Sequence, residues 1–279
     1  MKFDFTYKRL LLIVGFLMFL LPQSIMAQAT KPQNLKNYDN EPYHFGFILA
    51  YNQMSYYFKY IDDYSILAHP SSEYPNTADI NFNKEATYYA RSVESKAQPG
   101  FTVGVVGNLR LSKYFDLRLI PSLSFGTRTI TYHLFKDMPA GSEIQDLDFE
   151  ISKSIFSTFM EFPLQVKYRS KRLNNIAAYM IGGANFKFDL ASQKKSQIDV
   201  IDANTGKEIT VVDNIKVKKT DLALELGAGF DFYNAYFKLG VEVKMSYGLL
   251  NILNSQDLIY DSSIKSLHNK TFQVSLTFE

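Results

Sequence analysis

The sequence predicts an all-β fold, an eight-stranded antiparallel transmembrane β-barrel with short periplasmic turns and long extracellular loops. Three observations support this prediction. Long segments alternate between apolar and polar side chains, which is the period of a β-strand. Several of these segments have roughly ten residues, the length that a tilted strand needs to cross a bilayer. The links between segments alternate between short and long, as they do in membrane barrels.

The N-terminal stretch has the order of a secretory signal peptide. Lys8 and Arg9 precede the uncharged apolar run Leu10–Leu21, and the small residues Ala27 and Ala29 follow. The apolar run is shorter than the roughly 20 residues of a membrane-spanning helix. We therefore expect cleavage after Ala27 or Ala29.

This interpretation divides the chain into three parts. We expect residues 1–27 to be the signal peptide, residues 28–42 to be a periplasmic N-terminal segment, and residues 43–279 to be an outer-membrane β-barrel. The predicted localisation is the bacterial outer membrane.

Composition limits the possible functions. The chain has 30 basic and 28 acidic residues, and the signal peptide contains Lys2, Lys8, Arg9 and Asp4, so the mature chain has 27 of each. A neutral mature chain argues against nucleic acid as a partner. The absence of cysteine excludes disulfides, thiolate metal sites and a cysteine nucleophile. The 23 Phe and 19 Tyr residues, with a mean hydropathy of only −0.14, fit strands of which every second residue faces lipid.

The first four predicted strands differ in how clearly they alternate. Tyr43–Asn52 alternates most weakly, with glycine, alanine and asparagine between its apolar residues. Phe101–Leu111 places apolar residues opposite Thr, Gly, Asn and Arg. Phe115–Arg128 is the clearest, because Asp, Arg and Ser separate its Phe and Leu residues. In Met160–Arg169 the apolar residues alternate with Glu, Gln, Lys and Arg.

The last four predicted strands follow the same rule. Ala184–Leu190, Leu222–Phe232 and Phe237–Tyr247 each place apolar residues on one face and charged residues or glycine on the other. The chain closes with Phe272–Phe278, which ends on an aromatic residue in the apolar register. Such an ending is typical of the assembly signal of outer-membrane barrels, although here Glu279 follows it.

The links provide an independent test of the barrel. Strands two and three are joined by Ser112–Tyr114, strands four and five by Ser170–Ile176, and strands six and seven by a short turn around Asn234. The other links are long, and the first of them, Lys59–Pro99, is rich in Tyr, Ser and Asn. Strict alternation of short and long links is not expected of a soluble β-sandwich. Long surface loops of this kind commonly form binding sites.

The predicted inner face of the barrel carries many charges. An eight-stranded barrel is about wide enough for its own side chains to fill it. We favour a network of paired charges that keeps the lumen closed over a gated conduit or a ligand site, because unpaired buried charges are costly. The inward charges are Arg110, Arg118, Arg128, Glu161, Lys167, Arg169, Lys187, Asp189, Glu225, Asp231, Lys238, Glu242 and Lys244.

Catalytic and metal-binding patterns are weak. The four histidines lie outside the predicted strand cores and lack the spacing of a metal site. His133 and His268 have serines nearby, as in lipid-modifying barrels, but a serine-rich chain gives such neighbours by chance. Ile198–Val212 predicts a hairpin, and turn chemistry explains its Asp202 and Asn204 better than calcium does. We predict no catalytic, metal or cofactor-binding residue, no cofactor and no small-molecule substrate; the histidines are His44, His69, His133 and His268.

Several stretches resemble one family. PGFTVGVVGNLRLSKYFDLRLIPSLSFGTR (Pro99–Arg128) resembles the second hairpin of the PorT family, outer-membrane barrel proteins of Bacteroidetes. EFPLQVKYRSKRLNN (Glu161–Asn175) and AYMIGGANFKFDLAS (Ala178–Ser192) resemble the middle hairpin of that family, and YHFGFILAYNQM (Tyr43–Met54) resembles its opening strand. The resemblance spans most of the mature chain.

The resemblance implies a non-enzymatic role in assembly or operation of the type IX protein secretion system. The implied partners are outer-membrane lipid and other type IX secretion components, and the family lends no catalytic residues. Two alternatives stay open. One is a generic barrel that acts through its extracellular loops in adhesion or surface protection, and the other is a lipid-modifying enzyme.

Overall fold

The computed structural model describes residues 32–64, 68–70, 87–137, 147–191, 197–201, 208–212, 215–254 and 261–279. The predicted signal peptide lies outside these ranges. In the described part of the chain, no helix is long and apolar enough to cross a bilayer.

The predicted eight-stranded barrel is confirmed. Its third strand is interrupted at Ile120 and Pro121, where proline has no N–H to donate to a neighbouring strand. The strands, in chain order, are β1 (Tyr43–Tyr60), β2 (Thr87–Arg110), β3 (Phe115–Leu119 and Ser122–Asp137), β4 (Leu147–Arg169), β5 (Ile176–Asp189), β6 (Thr220–Tyr233), β7 (Lys238–Gly248) and β8 (Ile264–Phe278).

The barrel closes because its last strand pairs with its first. Each strand is antiparallel to the strands on both sides, and β8 lies between β7 and β1. Phe47 of β1 lies opposite Phe278 of β8, and their rings stack at 4.8 Å between centroids. Where all eight strands are paired, closure leaves no free sheet edge, and an edge in hydrocarbon would cost several kcal/mol for each unpaired backbone group.

The two ends of the barrel differ. At one end, here called the turn end, residues 111–114, 170–175 and 234–237 join successive strands, and Glu279 ends the chain. At the other end, the loop end, the longer links connect the remaining pairs of strands. The predicted alternation of short and long links is therefore confirmed.

An apolar band surrounds the half of the barrel nearer the turn end. Its side chains point outward and are exposed, for example Phe45, Leu226 and Met180 at 72%, 72% and 64%. The inward neighbours of these residues are buried and mostly polar or small. This distribution is that of a membrane barrel, apolar toward lipid and polar inside.

The strands are longer than predicted at the loop end. β1 continues to Tyr60 and β2 begins at Thr87, so the prediction of a loop throughout Lys59–Pro99 was wrong at both of its ends. β3 and β4 likewise extend to Asp137 and from Leu147. Beyond the apolar band these extensions bury apolar side chains inside the barrel, among them Tyr56, Ile130 and Tyr132.

Two short pairings lie outside the barrel wall. Gln197–Ile201 pairs with Glu208–Val212, which confirms the predicted hairpin, while its turn residues Asp202 and Asn204 lie outside the described residues. Lys216–Val217 pairs with Leu253–Asn254. The second pairing brings Val217 and Leu253 into the apolar interior of the loop end.

Candidate functional site

The interior of the barrel is the most concentrated assembly of charged groups in the described structure. Twelve of the thirteen charged residues predicted to point inward are buried there. The exception is Arg110, which is partly exposed at the turn end, where β2 ends and its backbone N–H donates to Pro42 O at 2.8 Å. Arg110 keeps the inward register of β2, two residues after the buried Asn108 and opposite the buried Asp116, but it forms no ion pair among the described residues.

Arg118 and Glu242 form a fully buried ion pair across the lumen. They lie on β3 and β7, and Arg118 Nη1 donates to Glu242 Oε2 at 2.8 Å. The hydroxyl of Tyr179 on β5 donates to the same oxygen at 3.1 Å. A Cβ at Gly229 would lie 2.6 Å from that hydroxyl, so glycine at this inward position leaves room for the Tyr179 ring.

A second pair lies beside the first. Lys167 Nζ on β4 donates to both carboxylate oxygens of Asp231 on β6, at 2.7 and 3.0 Å. The ammonium group also lies 3.7 Å from the centroid of the Tyr179 ring. Both partners are almost completely buried, so each charge depends on the other for its solvation.

The middle of the lumen is organised around Glu225. Its carboxylate accepts from Gln165 Nε2 at 2.6 Å, from Asn185 Nδ2 at 2.8 Å and from Lys244 Nζ at 3.3 Å. Asn185 Nδ2 also donates to Glu161 at 3.2 Å. These residues come from β4, β5, β6 and β7, so this layer connects half of the barrel wall.

Arg128 forms the layer nearest the loop end. Its guanidinium donates to Asp189 Oδ2 at 3.1 Å and also to Ser157 and Asn269. Its Cζ lies 4.6 Å from the Tyr56 ring centroid and 4.9 Å from that of Phe159. Arg128 therefore joins the charged lumen to the apolar interior above it.

The apolar interior fills the barrel beyond Arg128. The cluster draws buried side chains from five strands of the barrel wall, β1, β2, β3, β4 and β8, and from the pairing of Lys216–Val217 with Leu253–Asn254 at the loop end. The favoured prediction, a lumen closed by paired charges, is thus consistent with the structure, and an apolar core that the sequence analysis missed adds to the closure. Members of this core are Tyr56, Phe58, Tyr88, Ala90, Val93, Ile130, Tyr132, Leu134, Ile151, Ile155, Ile215, Val217, Ile252, Leu253, Ile264 and Leu267.

The last residue of the chain closes the turn end. Glu279 points into the lumen, where its carboxylate accepts from Lys238 Nζ at 2.9 Å and from Asn108 Nδ2 at 3.1 Å. From the sequence alone, Glu279 is only a departure from an ending on the aromatic Phe278. The alternation contained the missing signal, because a residue after an outward Phe278 points inward.

Residues 34–40, here called the N-terminal cap, lie across the turn end. Asp39 Oδ1 accepts from Arg169 Nη1 at 2.6 Å and from the Tyr233 hydroxyl at 3.2 Å. Asn34 N donates to Asn175 Oδ1 at 2.9 Å, and Arg172 donates to the Asn34 carbonyl. The cap thus contacts β4, β6 and the turn between β4 and β5.

Tyr38 fastens the cap to the opposite side of the barrel. Its ring stacks on His44 of β1 at 3.6 Å between centroids, and its hydroxyl donates to Glu279 Oε2 at 3.1 Å. Burial raises the pKa of Tyr38 well above its usual value, and the Glu279 carboxylate raises it further. The tyrosine therefore stays protonated and keeps donating this hydrogen bond.

All four histidines lie in strands, whereas the sequence pattern places them outside the predicted strand cores. His44, His133 and His268 belong to β1, β3 and β8, and His69 lies in a two-residue strand. His268 Nε2 is 3.2 Å from Ser266 Oγ, and its Nδ1 donates to Gly248 O at 3.1 Å, so no carboxylate orients the ring. His133 shares a register with a serine and a glutamate on the neighbouring strands, but no hydrogen bond joins their side chains in the described residues.

Among the described residues, no group of three His, Cys, Asp or Glu side chains is arranged to hold a metal ion. The buried carboxylates of the lumen instead face lysine, arginine and amide donors. The ion pairs and hydrogen bonds of the lumen join the strands of the barrel wall and fill its interior. Their role is therefore structural.

Comparison with known proteins gives one family. The profile of a family described as "Outer membrane protein beta-barrel domain" matches residues 27–254. No curated protein is similar in sequence at a significant level.

Several solved barrels are similar in fold. Neisserial surface protein A is 10% identical, with 85% of this chain and 98% of that chain covered and a TM-score of 0.36. OprG from Pseudomonas aeruginosa is 10% identical, with 85% and 94% covered and a TM-score of 0.38. Ail, the attachment invasion locus protein of Yersinia pestis, solved with the heparin analogue sucrose octasulfate, is 10% identical, with 85% and 98% covered and a TM-score of 0.32.

Proposed function

Because the chain belongs to the family of outer membrane protein beta-barrel domains and lies in the bacterial outer membrane, we propose that it is a non-enzymatic barrel that supports assembly or operation of the type IX protein secretion system. The filled lumen is the observation that supports this mode of action. Charged layers occupy the interior along the apolar band, and the cap covers the turn end. A barrel without a passage acts through its surfaces.

The secretion role itself is supported by the sequence. Two hairpins resemble those of the PorT family of Bacteroidetes, one in Pro99–Arg128 and one in the stretches Glu161–Asn175 and Ala178–Ser192. Both belong to the barrel wall, as β2–β3 and β4–β5. The non-enzymatic role follows the same resemblance, since that family lends no catalytic residues.

The turn end offers a surface for a secretion partner. Short turns face the periplasm in outer-membrane barrels, and two exposed apolar residues stand on neighbouring turns there. Leu173 is 78% exposed and Tyr236 is 93% exposed. A periplasmic or membrane-embedded secretion component would bury them.

A clean deletion strain tests the proposal. We expect proteins that bear type IX C-terminal signals to disappear from the cell surface and medium and to accumulate in the periplasm, as measured by quantitative proteomics. Normal export of these proteins in the deletion strain would refute the secretion role.

Complementation then tests the surface. Leu173→Ser/Tyr236→Ser should fail to restore export, because it removes apolar contacts at the turn end. Ile61→Ser/Leu250→Ser, which makes the same kind of change at exposed residues of the loop end, should restore it. If both variants restore export equally, the contact with the secretion partner does not involve Leu173 and Tyr236.

The loop end supports a second candidate, adhesion or surface protection. The strand extensions enclose an apolar core outside the membrane band, which gives the outer loops a rigid support. Under this hypothesis the deletion strain exports its cargo normally but loses attachment to host or abiotic surfaces. An adhesion assay on the same strain distinguishes the two candidates.

A further inference from the structure

The outward face of β1, β7 and β8 changes character sharply at the outer limit of the apolar band. Val243, Val274 and Tyr51 form one outward row across the three strands, and Met245 and Phe272 continue it in the next row. One row further toward the loop end, Tyr247 and Ser55 flank Lys270. Rows are two residues apart, so Lys270 stands only about 6–7 Å along the strand from the lipid-facing Phe272.

Three cations lie on this outward face beyond the apolar rows. Lys270 of β8 stands at the boundary itself, where it pairs with Ser55. Lys59 of β1, which pairs with Ser266, and Lys265 of β8 stand four to five residues further toward the loop end, about 13–17 Å along the strand. All three are exposed, and none forms an ion pair with a carboxylate among the described residues. They are here called the basic patch.

The lysines of the basic patch differ from Lys96 and from the inward lysines of the wall. Lys96, on the outward face of β2, is paired with Glu150 at 3.4 Å, and the inward lysines are buried in ion pairs. The carboxylates of Asp62 and Asp63 follow the end of β1, further from the apolar band. At the boundary itself the charge of Lys270 is therefore uncompensated, whereas Asp62 follows Lys59 by three residues.

Packed aromatic side chains lie beside the lysines of the basic patch. The rings of Tyr57 and Tyr247 lie 5.7 Å apart, and Tyr247 stacks with His268 at 6.1 Å between centroids. The hydrogen bond from His268 Nδ1 to Gly248 O fixes the imidazole. Tyrosine hydroxyls at this level add hydrogen-bond donors beside the lysines, as in the aromatic girdles of membrane barrels.

We propose that the basic patch binds the phosphorylated headgroup of an outer-leaflet lipid, with the acyl chains of that lipid packed on Phe272, Met245 and Val274. A phosphate matches the charge and donors of the patch, since it presents negative oxygens to several ammonium groups at once. The neighbouring apolar rows identify a lipid rather than a soluble anion, because a phosphate joined to acyl chains reaches both surfaces together. The inference requires the membrane location but not the secretion role.

The test uses the mature chain, folded in uncharged detergent micelles, and native mass spectrometry of lipid binding. The probes are diphosphoryl lipid A and the same lipid without its phosphates. The variant Lys59→Gln/Lys265→Gln/Lys270→Gln removes the patch, and Lys36→Gln/Lys113→Gln/Lys171→Gln makes the same charge change at exposed lysines near the turn end. Gel mobility without heating verifies that each variant is folded.

We expect the wild type to prefer the phosphorylated lipid. The patch variant should bind it roughly 100-fold more weakly, since each basic residue near an anionic lipid surface contributes roughly a fivefold gain in affinity. The turn-end variant should keep the wild-type affinity, and Lys59→Arg/Lys265→Arg/Lys270→Arg should restore it. Equal affinity for the two lipids, equal loss in both glutamine variants, or displacement by inorganic phosphate as effective as by the lipid would overturn the proposal.

Discussion

Individual ion pairs stabilise the folded barrel from inside the lumen. The pair of Lys167 and Asp231 allows this contribution to be measured. Lys167 is the donor to both oxygens of Asp231, and both side chains are buried. We predict that Lys167→Met lowers the free energy of unfolding by about 3–5 kcal/mol, because it leaves a buried carboxylate without its partner. Urea unfolding from lipid vesicles, followed by gel mobility, measures the loss.

The double variant Lys167→Met/Asp231→Leu is the control. It removes both charges at once, so its unfolding free energy should be close to that of the wild type, as is often found when apolar residues replace a buried ion pair. If the double variant is as unstable as the single one, volume rather than charge dominates at this site.

At the same scale, the sequence predicts which residues point inward but not which of them meet. The direction follows from strand period, and it correctly placed Arg118, Lys167 and Glu242 inside. The partners come from strands that are not neighbours, such as β3 and β7 for Arg118 and Glu242. These contacts depend on the tilt and stagger of the whole barrel, which no local pattern contains.

At the scale of the strand, apolar side chains change sides along the barrel wall. They point outward within the apolar band and inward beyond it. On β1, Phe45 and Phe47 point out within the apolar band, whereas Tyr56 and Phe58 point in beyond it. A pattern of apolar residues on one continuous face predicts that the strand ends where the apolar face changes sides. The bulges of β2 between Ala90 and Ser92 and between Ala97 and Phe101 hide its extension further, because they interrupt the period of two.

The boundary of the apolar band can be located by arginine substitution. Leu226→Arg, in an outward position 72% exposed within the band, should cost about 2–4 kcal/mol of unfolding free energy, as charged residues near the bilayer midplane do. Glu94→Arg, on the exposed outer face of the β2 extension, should cost only about 0–1 kcal/mol. Similar costs at both positions would contradict the assigned position of the membrane.

The extensions have their own core, and Ile130 tests it. This side chain is fully buried among the apolar residues of the loop end. Ile130→Ala should lower the free energy of unfolding by about 2–5 kcal/mol, through lost apolar contact and the cavity that remains. Glu94→Ala, at an exposed position of the same extension, should change it little; an Ile130→Ala barrel as stable as the wild type would show that this interior is loosely packed.

At the scale of the whole molecule, the layers of side chains make the barrel a closed cylinder. We predict no stable conductance steps when the mature chain is placed in a planar lipid bilayer. A variant without residues 28–42 should stay closed as well, because the layers of Arg118, Glu225 and Arg128 remain. Steps of constant size in the wild type would show a passage through the lumen, and steps only in the truncated variant would identify the cap as the sole barrier.

The contacts of the N-terminal cap also indicate when the cap can dock during folding of the barrel. Its contacts require groups from both ends of the chain, with His44 on the first strand, Glu279 after the last, and Arg169 and Tyr233 between them. These groups come together only when the first and last strands have joined. The complete set of contacts made by Tyr38 and Asp39 can therefore form only on a closed barrel, and we expect the cap to dock late in biogenesis.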